Sequence, residues 1–205
     1  MKVYDLFPFF NESHLLHLRV SELDPVVTDY GFSELPRTFT DLPKPMWLVY
    51  NWSKYQNGEH RFHNYQYTAI PSGPHPTVDW FQRRSLGNLI AGAEPDDIIM
   101  LSDVDEIPNR NKVLDYIASD VQHPVSLACR LYYHRVDLFD PTPWIGPVVC
   151  RRKNLGDDPD LQELRSNRFN FPIVDDAGWH FSWLGNGEAI KTKLAAVDIP
   201  RENAI

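Results

Sequence analysis

The sequence predicts one α/β domain built on a mostly parallel central sheet with helices on its faces. Two observations support this fold class. The chain has 205 residues, of which 42% are hydrophobic, and this is enough for one full core. Apolar, strand-like segments also alternate with segments of helical periodicity, which is typical of doubly wound sheets. In such sheets, ligands bind beyond the carboxyl ends of the strands.

The first thirty residues predict a strand, a helix and a second strand. Residues 3–7 form an apolar run that predicts a buried strand, and Pro8 ends it because proline cannot continue a hydrogen-bonded ladder. Asn11 is the expected N-cap of a helix over residues 12–23, where apolar residues recur at helical spacing. A short strand is expected near residues 26–30.

Residues that break regular structure dominate the next segment. Prolines predict a loop over residues 35–45, and residues 46–50 are expected to form another strand. Residues 51–76 are polar and contain two glycines and three prolines. We therefore expect a long surface excursion there, of the kind that often serves as a lid or binding loop.

The alternation of helices and strands continues through the rest of the chain. Apolar periodicity and capping residues are the evidence for each element. The expected elements are a helix from Thr77 or Asp79 to about residue 93, a strand over 98–101, a short helix opened by Asn109 or Asn111 and ending near 117, strands over 125–134 and 144–152, a polar stretch over 156–168, and a last helix over 188–196.

The bulk composition argues against several classes of function. A formal net charge of −8 and a pI of about 5.4 leave no basic footprint for nucleic acid or for an anionic membrane surface. No apolar run approaches the roughly 20 residues of a membrane span, and no signal peptide precedes the first strand. We expect a soluble, cytoplasmic protein. Cys129 and Cys150 lack the spacing of a zinc site and are expected to be reduced packing residues.

The segment around Asp103 carries the clearest functional pattern. The apolar strand at residues 98–101 leads into Asp103-Val104-Asp105-Glu106. Carboxylates at the end of a buried strand are costly to desolvate unless a cation pairs with them. Period-two alternation sends Val104 into the core and both aspartates to one side. Oxygen ligands suit Mg²⁺ or Mn²⁺, which usually also bind substrate phosphates, so the motif predicts a metal–diphosphate site.

Other interpretations of the acidic motif were weighed against this one. A simple acidic turn that caps the next helix would not require the buried strand before it. An EF-hand loop fails because Ile107 and Pro108 occupy the positions that need a glycine and oxygen ligands. A phosphohydrolase of the haloacid dehalogenase type also places Asp-x-Asp after an apolar strand, and it stays open as the alternative.

Two more sets of residues are candidates for the same site. His180 follows Asp175 and Asp176, and a carboxylate near a metal site is a natural general base. Spacing alone does not choose between these two aspartates. Arg83 and Arg84, on the helix predicted to begin near residue 77, are candidates for the diphosphate because guanidinium groups bind phosphate oxygens bidentately.

Seven sequence blocks, in one order along nearly the whole chain, resemble glycosyltransferase family 17. They are FPFFNE at residues 7–12, ELPRTF at 34–39 with PKP at 43–45, QR at 82–83, LSDVDEIP at 101–108, YY at 132–133, Trp144 with GP at 146–147, and DAGWHFS at 176–182. The resemblance implies a GT-A fold over a single domain, residues 1–205. Its nucleotide-binding part would span about 1–108 and its acceptor-side part about 109–205.

The resemblance also implies a reaction and a role for each site residue. It implies a metal-dependent, inverting transfer of a sugar, N-acetylglucosamine by family precedent, from a UDP-sugar to a glycan hydroxyl, with Mn²⁺ or Mg²⁺. The implied roles are metal ligands Asp103, Asp105 and His180, catalytic base Asp176, and donor-binding residues Phe10, Asn11, Glu12, Glu34, Arg83 and Asp103. Animal members carry a membrane anchor, so its absence here favours a bacterial or viral enzyme. A non-catalytic glycan-binding module is a further alternative.

Overall fold

The computed structural model describes residues 1–40, 42–51, 61–66, 77–185 and 187–196. The strands are β1 (Val3–Pro8), β2 (Asp29–Glu34), β3 (Arg61–Gln66), β4 (Ile98–Leu101), β5 (Glu106–Pro108), β6 (Val125–Tyr133), β7 (Phe139–Arg151), β8 (Ile173–Val174) and β9 (Gly178–Ser182). The α-helices are α1 (Ser13–Leu23), α2 (Trp47–Tyr50), α3 (Val78–Ser85), α4 (Arg110–Ala118), α5 (Leu161–Ser166) and α6 (Gly187–Ala196). Short 3₁₀ helices lie at Leu86–Ile90, Arg152–Leu155 and Arg168–Asn170.

These strands form one mixed sheet. Among the described residues its order is β3-β2-β1-β4-β7-β6-β9-β5, with β8 beside β6. Strands β3, β2, β1 and β4 run parallel to one another, and β8 and β9 run parallel to β6. Strand β7 is antiparallel to both β4 and β6, and β5 is antiparallel to β9. The mostly parallel sheet predicted from the sequence is confirmed.

Strand β4 lies at the centre of the core, and all four of its residues are fully buried. Side chains alternate between the two faces of a strand, so β4 contributes to two hydrophobic clusters. Ile98 and Met100 pack with apolar residues of α1 and α4. Ile99 and Leu101 pack with α5 and the 3₁₀ helix at Leu86–Ile90. Helices on both faces therefore bury the strand that leads into the acidic motif.

The segment at residues 46–50 is a helix, and the strand predicted there is wrong. The carboxylate of Glu34, at the end of β2, accepts hydrogen bonds from the backbone N–H groups of Leu48 (3.0 Å) and Val49 (3.2 Å). These are N–H groups that the first turn of a helix leaves unpaired. The contact that stabilises α2 therefore comes from a residue 14 positions away, which a local apolar pattern does not reveal.

Two predicted boundaries near the first helix also need correction. Helix α1 begins after Glu12, and the N-cap residue makes no side-chain capping bond, so the predicted Asn11 cap is wrong. Strand β2 begins at Asp29, three residues later than predicted. The two valines at 26 and 27 instead donate their backbone N–H groups to the carbonyl of Leu23, which extends the end of the helix by a turn.

The helix predicted from residue 77 is shorter than expected. Thr77 is its N-cap and accepts a hydrogen bond from the backbone of Trp80, which confirms the capping prediction. The α-helix ends at Ser85 and continues only as a 3₁₀ helix. Helix α5 was missed within the stretch 156–168, which was described only as polar, although Asp160 caps this helix through two backbone N–H groups. Asn109 caps α4 as predicted.

Some predictions fall partly outside the described residues. Strand β3 lies inside the surface excursion predicted for residues 51–76, and the rest of that excursion, apart from residue 51, is outside the described ranges. Both cysteines are free and buried, as expected. None of the helices described above is both long enough and apolar enough to cross a membrane.

Candidate active site

The acidic motif lies in a tight turn between β4 and β5, at the carboxyl end of β4. The backbone N–H of Asp103 donates to the carboxylate of Glu106 (2.9 Å), and the N–H of Glu106 donates back to the carbonyl of Asp103 (3.0 Å). Val104 is buried, as predicted. The turn, rather than an extension of the strand, places Asp103 and Asp105 in the wall of one cavity.

A buried ion pair between α1 and β1 holds this turn in place. Arg19 of α1 donates to both carboxylate oxygens of Asp5 in β1, and neither side chain has exposed surface. The same guanidinium donates to the carbonyls of Asp103 (3.0 Å) and Glu106 (2.8 Å) and to the hydroxyl of Ser102 (2.6 Å). Because its donors are arranged in a rigid fork, Arg19 fixes the backbone of the acidic motif relative to β1.

Glu106 is the centre of a second buried network. Its carboxylate is fully buried and accepts hydrogen bonds from Arg165 of α5 (2.6 and 2.9 Å) and from the indole N–H of Trp144 in β7. Arg165 also donates to the carbonyl of Gly146. A Cβ atom at Gly146 would lie 2.5 Å from a Glu106 oxygen, so glycine is needed for this close approach. The network joins β5, β7 and α5.

Two arginines hold the carboxylate of Asp103. One oxygen accepts from Arg83 of α3 at 2.7 Å, and the other accepts from Arg165 at 3.3 Å. Burial raises the pKa of Asp103, but the two guanidinium charges outweigh it and hold the pKa well below its usual range. Arg83 also binds Asp79, whose pKa is raised because burial outweighs the attraction of Arg83. Asp103 therefore stays ionised throughout the physiological range.

Asp105 has a different set of partners. One of its oxygens accepts from Lys193 of α6 at 3.0 Å, and the other lies 3.7 Å from Nε2 of His180. Lys193 Nζ is also 3.7 Å from Glu12. Burial lowers the pKa of Lys193, but the attraction of Asp105 and Glu12 is stronger, so the pKa is raised above its ordinary value. The carbonyl of Asp105 accepts from the backbone N–H of Phe181, which ties the turn to β9.

These groups border a cavity of about 560 Å³ at the carboxyl ends of β1 and β4. This volume is in the range of small-molecule sites. Aromatic side chains form much of its wall: Phe9, Phe10, Phe39, Trp144 and Trp183. The cavity therefore combines aromatic surfaces with the charged groups of the acidic motif.

Carboxylates outnumber basic groups in the two sets of ion pairs at the acidic motif. Arg83 and Arg165 bind the carboxylates of Asp79, Asp103 and Glu106. Separately, Lys193 lies between the carboxylates of Asp105 and Glu12. Each set has one more carboxylate than basic groups, whereas Arg37 and Lys44, elsewhere in the lining of the cavity, add positive charge. Unbalanced charge in a partly buried site is costly. A divalent cation beside Asp105 would offset the excess of carboxylate charge there.

The residues around Asp105 fit such a cation. The facing atoms of Asp105 and His180 are 3.7 Å apart, a separation that two ligands about 2.0–2.2 Å from one ion can span. The other ring nitrogen of His180, Nδ1, is buried without a partner among the described residues. Both oxygens of Asp103 are already bound by arginines. Within the described ranges, no three His, Cys, Asp or Glu side chains are placed to hold a metal ion by themselves. An ion at this position would therefore also be coordinated by phosphate and water, as Mg²⁺ usually is.

The cavity brings together most of the residues singled out from the sequence. Its lining includes Phe10, Glu12, Arg83, Asp103, Asp105 and His180. Asn11 and Glu34 do not line it. Asn11 is exposed, whereas Glu34 is fully buried and pairs with Lys44 (3.3 Å), which does line the cavity. Glu12 accepts from the backbone N–H groups of residues 10 and 11, and so shapes this loop.

The structure does not bring Asp176 to the cavity wall. Asp176 precedes β9, whereas β9 and the residue after it line the cavity through His180, Ser182 and Trp183. The Asp176 carboxylate accepts a hydrogen bond from Arg130 at 2.8 Å, and 64% of its side chain is exposed. Arg84, the other arginine considered with Arg83, is also outside the lining and pairs with acidic residues near α5.

Sequence reasoning missed four basic residues of this region, one of which is Arg37 in the lining of the cavity. Lys44 belongs to a block that carried the family resemblance, which was its only signal. Arg165 lies in a helix that was not predicted, and Lys193 lies in α6, a helix that was predicted without any site residue in it. Nothing in the local pattern of either residue indicates that it reaches the acidic motif, about 60 to 90 positions earlier in the chain.

Comparison with solved structures identifies the fold. HddC from Yersinia pseudotuberculosis superposes with a TM-score of 0.53 at 10% identity, over 93% of this chain and 96% of that one. Francisella tularensis 2-C-methyl-D-erythritol 4-phosphate cytidylyltransferase superposes at 0.50 with 12% identity, over 96% and 100% of the two chains. The inositol-1-phosphate CTP transferase of T. maritima gives 0.51 at 9% identity, over 94% and 92%. At these identities the likeness shows the fold alone, a GT-A-like Rossmann-type fold.

Sequence comparison adds one match. No curated protein matches the chain. The model of a protein family, described as glycosyltransferase family 17, matches residues 1–196. The match covers all of the elements that build the cavity, from β1 to the last residue of α6.

Proposed function

This chain belongs to glycosyltransferase family 17, and from that premise we propose that it transfers a sugar from a UDP-sugar to a hydroxyl of a glycan. The sugar would be N-acetylglucosamine by family precedent, the transfer would invert the anomeric carbon, and it would require Mn²⁺ or Mg²⁺. One observation carries the proposal. The carboxylates of Asp103 and Asp105 and the guanidinium of Arg83 line one cavity at the carboxyl end of β4, and a divalent cation and a diphosphate would together find partners in such a set of groups.

Phe10 and Lys44 support a nucleoside at one side of the cavity. The Lys44 ammonium lies 5.3 Å from the centre of the Phe10 ring, and its side chain is only 6% exposed. An aromatic face can stack on a base, and a fixed ammonium can donate hydrogen bonds to the oxygens of the base or of the ribose. Glu34 would then act indirectly, by holding Lys44. On this proposal residues 1–108 form the donor side and residues 109–205 form the acceptor side.

Arg83 and Asp105 support the diphosphate next to the acidic motif. The Arg83 guanidinium lines the cavity and is held in place by Asp79 and Asp103. Asp105 and His180 would hold the divalent ion, with Asp103 beside them. When bound, the ion would neutralise the charge that develops on the departing diphosphate. Arg83 would share that charge through its own hydrogen bonds to phosphate oxygens.

The transfer also needs a group that accepts a proton. As the acceptor oxygen bonds to the anomeric carbon, the bond to the diphosphate breaks, and the hydroxyl proton passes to a carboxylate. The family resemblance implies this role for Asp176. If the assignment holds, Asp176→Asn loses roughly 100-fold or more of its transfer rate while its affinity for the UDP-sugar stays unchanged. Retained turnover would move the role to a carboxylate of the cavity, and Glu12→Gln would be the next variant.

The experiment that tests the function is a binding screen. Calorimetry and thermal unfolding would be run with UDP-, GDP- and dTDP-sugars, each with Mn²⁺ and with EDTA. We expect a metal-dependent stabilisation by UDP-sugars, roughly 2.7 kcal/mol at a hundredfold excess over Kd. No shift with any donor would contradict the proposal. Release of phosphate from phosphomonoesters without an acceptor would instead support the phosphohydrolase, and glycan binding unaffected by EDTA would support a binding module.

A further inference from the structure

We propose that Lys193 is a built-in counter-cation of the donor site. It neutralises Asp105 in the ligand-free protein, and it moves to the diphosphate when a divalent ion takes over Asp105. This inference rests on the proposed nucleotide-sugar function and adds a residue that couples the binding of the metal to the binding of the donor. No local sequence pattern indicates this role, because Lys193 lies in α6, 88 positions after Asp105.

The position of Lys193 supports the first half of this proposal. Its ammonium lies 3.0 Å from Asp105 and 3.7 Å from Glu12, and it faces the ring of Trp183 at 5.7 Å. All four of these residues line the cavity. A lysine placed between two carboxylates in the wall of a cavity supplies part of the positive charge that the acidic motif requires. Its single charge faces two carboxylates, so this group keeps an excess of one negative charge.

Helix α6 is anchored so that the ammonium can move while the helix stays in place. The carbonyl of Ala196 accepts a hydrogen bond from the backbone N–H of Phe39 (2.9 Å), and the carbonyl of Ala195 accepts from the Thr40 hydroxyl (3.0 Å). Ala196 is itself buried. The end of the helix is thus attached to the loop after β2. Lysine has a flexible four-carbon side chain, so its rotation alone would change the ammonium's partner.

The position of Asp105 supports the second half. Its oxygens contact Lys193 on one side and approach His180 on the other. A divalent ion between Asp105 and His180 would repel the ammonium at this short range. A diphosphate carries the negative charge that would attract the ammonium away from Asp105. The metal ion and Lys193 therefore compete for the carboxylate of Asp105 when no donor is present. When the donor is bound, both of them contact its diphosphate.

The two halves predict opposite effects of one substitution. Lys193→Met removes the charge but keeps a long, flexible side chain. Without its competitor, Mn²⁺ alone is expected to bind the variant about tenfold more tightly than it binds the unchanged protein. UDP with saturating Mn²⁺ is expected to bind about tenfold more weakly, because one contact to the diphosphate is lost. Uridine, which has no phosphate, is expected to bind both proteins equally.

The measurement is isothermal titration calorimetry with Mn²⁺ alone, with uridine, and with UDP at saturating Mn²⁺. Lys191→Met is the matched control, since Lys191 is an exposed lysine of the same helix that does not line the cavity, and it should behave like the unchanged protein. Lys193→Arg keeps the charge and should keep the weak binding of Mn²⁺ alone. It also provides a second test if the methionine variant does not fold.

The outcomes separate this inference from the proposed function. If the unchanged protein binds no UDP with any divalent ion, the proposed function fails. If it binds UDP with Mn²⁺ but Lys193→Met changes neither affinity, only the role of Lys193 fails. The same conclusion follows if Lys193→Met weakens the binding of Mn²⁺ alone, because a competitor cannot assist the ion. Opposite changes in the two affinities, with Lys191→Met unaffected, would support the exchange.

Discussion

Replacing Arg19 with methionine should destabilise the protein by about 3–5 kcal/mol, because the substitution leaves the carboxylate of Asp5 charged, buried and unpaired. Arg19 and Asp5 are both fully buried. Arg19 also donates to the carbonyls of Asp103 and Glu106, so its loss releases the turn that carries the acidic motif. The loss would be measured as a shift in the urea unfolding midpoint, and it should be a large part of the total stability of an ordinary domain.

Two further variants show whether the unpaired charge is the cause. Arg110→Met removes an exposed arginine at the start of α4 and should change stability by no more than about 0.5 kcal/mol. The double variant Arg19→Met with Asp5→Leu should recover much of the loss, since no buried charge is then left without a partner. A loss below about 1 kcal/mol for Arg19→Met, or no recovery in the double variant, would contradict this account.

Asp105→Asn should strongly weaken metal-dependent donor binding while leaving the fold intact. Asparagine has nearly the same shape, but it lacks the negative charge that would pair with a divalent ion beside His180. We expect the affinity for UDP in the presence of Mn²⁺ to fall by on the order of 100-fold. Transfer activity should fall further, since each lost 1.36 kcal/mol of transition-state stabilisation is a factor of about ten in rate. Calorimetry with and without EDTA would measure the first effect.

Asp115→Asn is the matched control for this variant. Asp115 is an exposed carboxylate of α4 that does not line the cavity, so its substitution should leave donor binding unchanged. Asp105→Asn should also unfold near the same temperature as the unchanged protein. If it still bound UDP in a manner that requires Mn²⁺, the ion would have to be held elsewhere, and the charge excess around Asp105 would need another explanation.

The acidic motif was predictable because its evidence is local. A run of four apolar residues that ends in Asp103-Val104-Asp105 predicts both a buried strand and charged groups at its carboxyl end. The structure confirms the strand and the burial of Val104. Local patterns also predicted the Thr77 and Asn109 caps correctly. In each case the residues that determine the feature are only a few positions apart.

The strand predicted at residues 46–50 was wrong for the opposite reason. A short apolar segment is compatible with a strand or with a buried turn of helix. The decisive contact is between Glu34 and the backbone of α2, and no pattern within the segment reports it. Helix α5 was missed because its sequence is polar, although Asp160 caps it and its Arg165 reaches the buried Glu106.

The sequence by itself determined the fold class, the position of the acidic motif and, through seven ordered blocks, the family. Only the tertiary structure decided which charges meet. Arg83, Arg165 and Lys193 come from three different helices to bind Asp103 and Asp105, whereas Asp176, only four positions before His180, lies outside the cavity lining. The physical reason is that spacing along the chain determines the type and burial of each element, whereas the order and direction of strands in the sheet determine which side chains share a cavity.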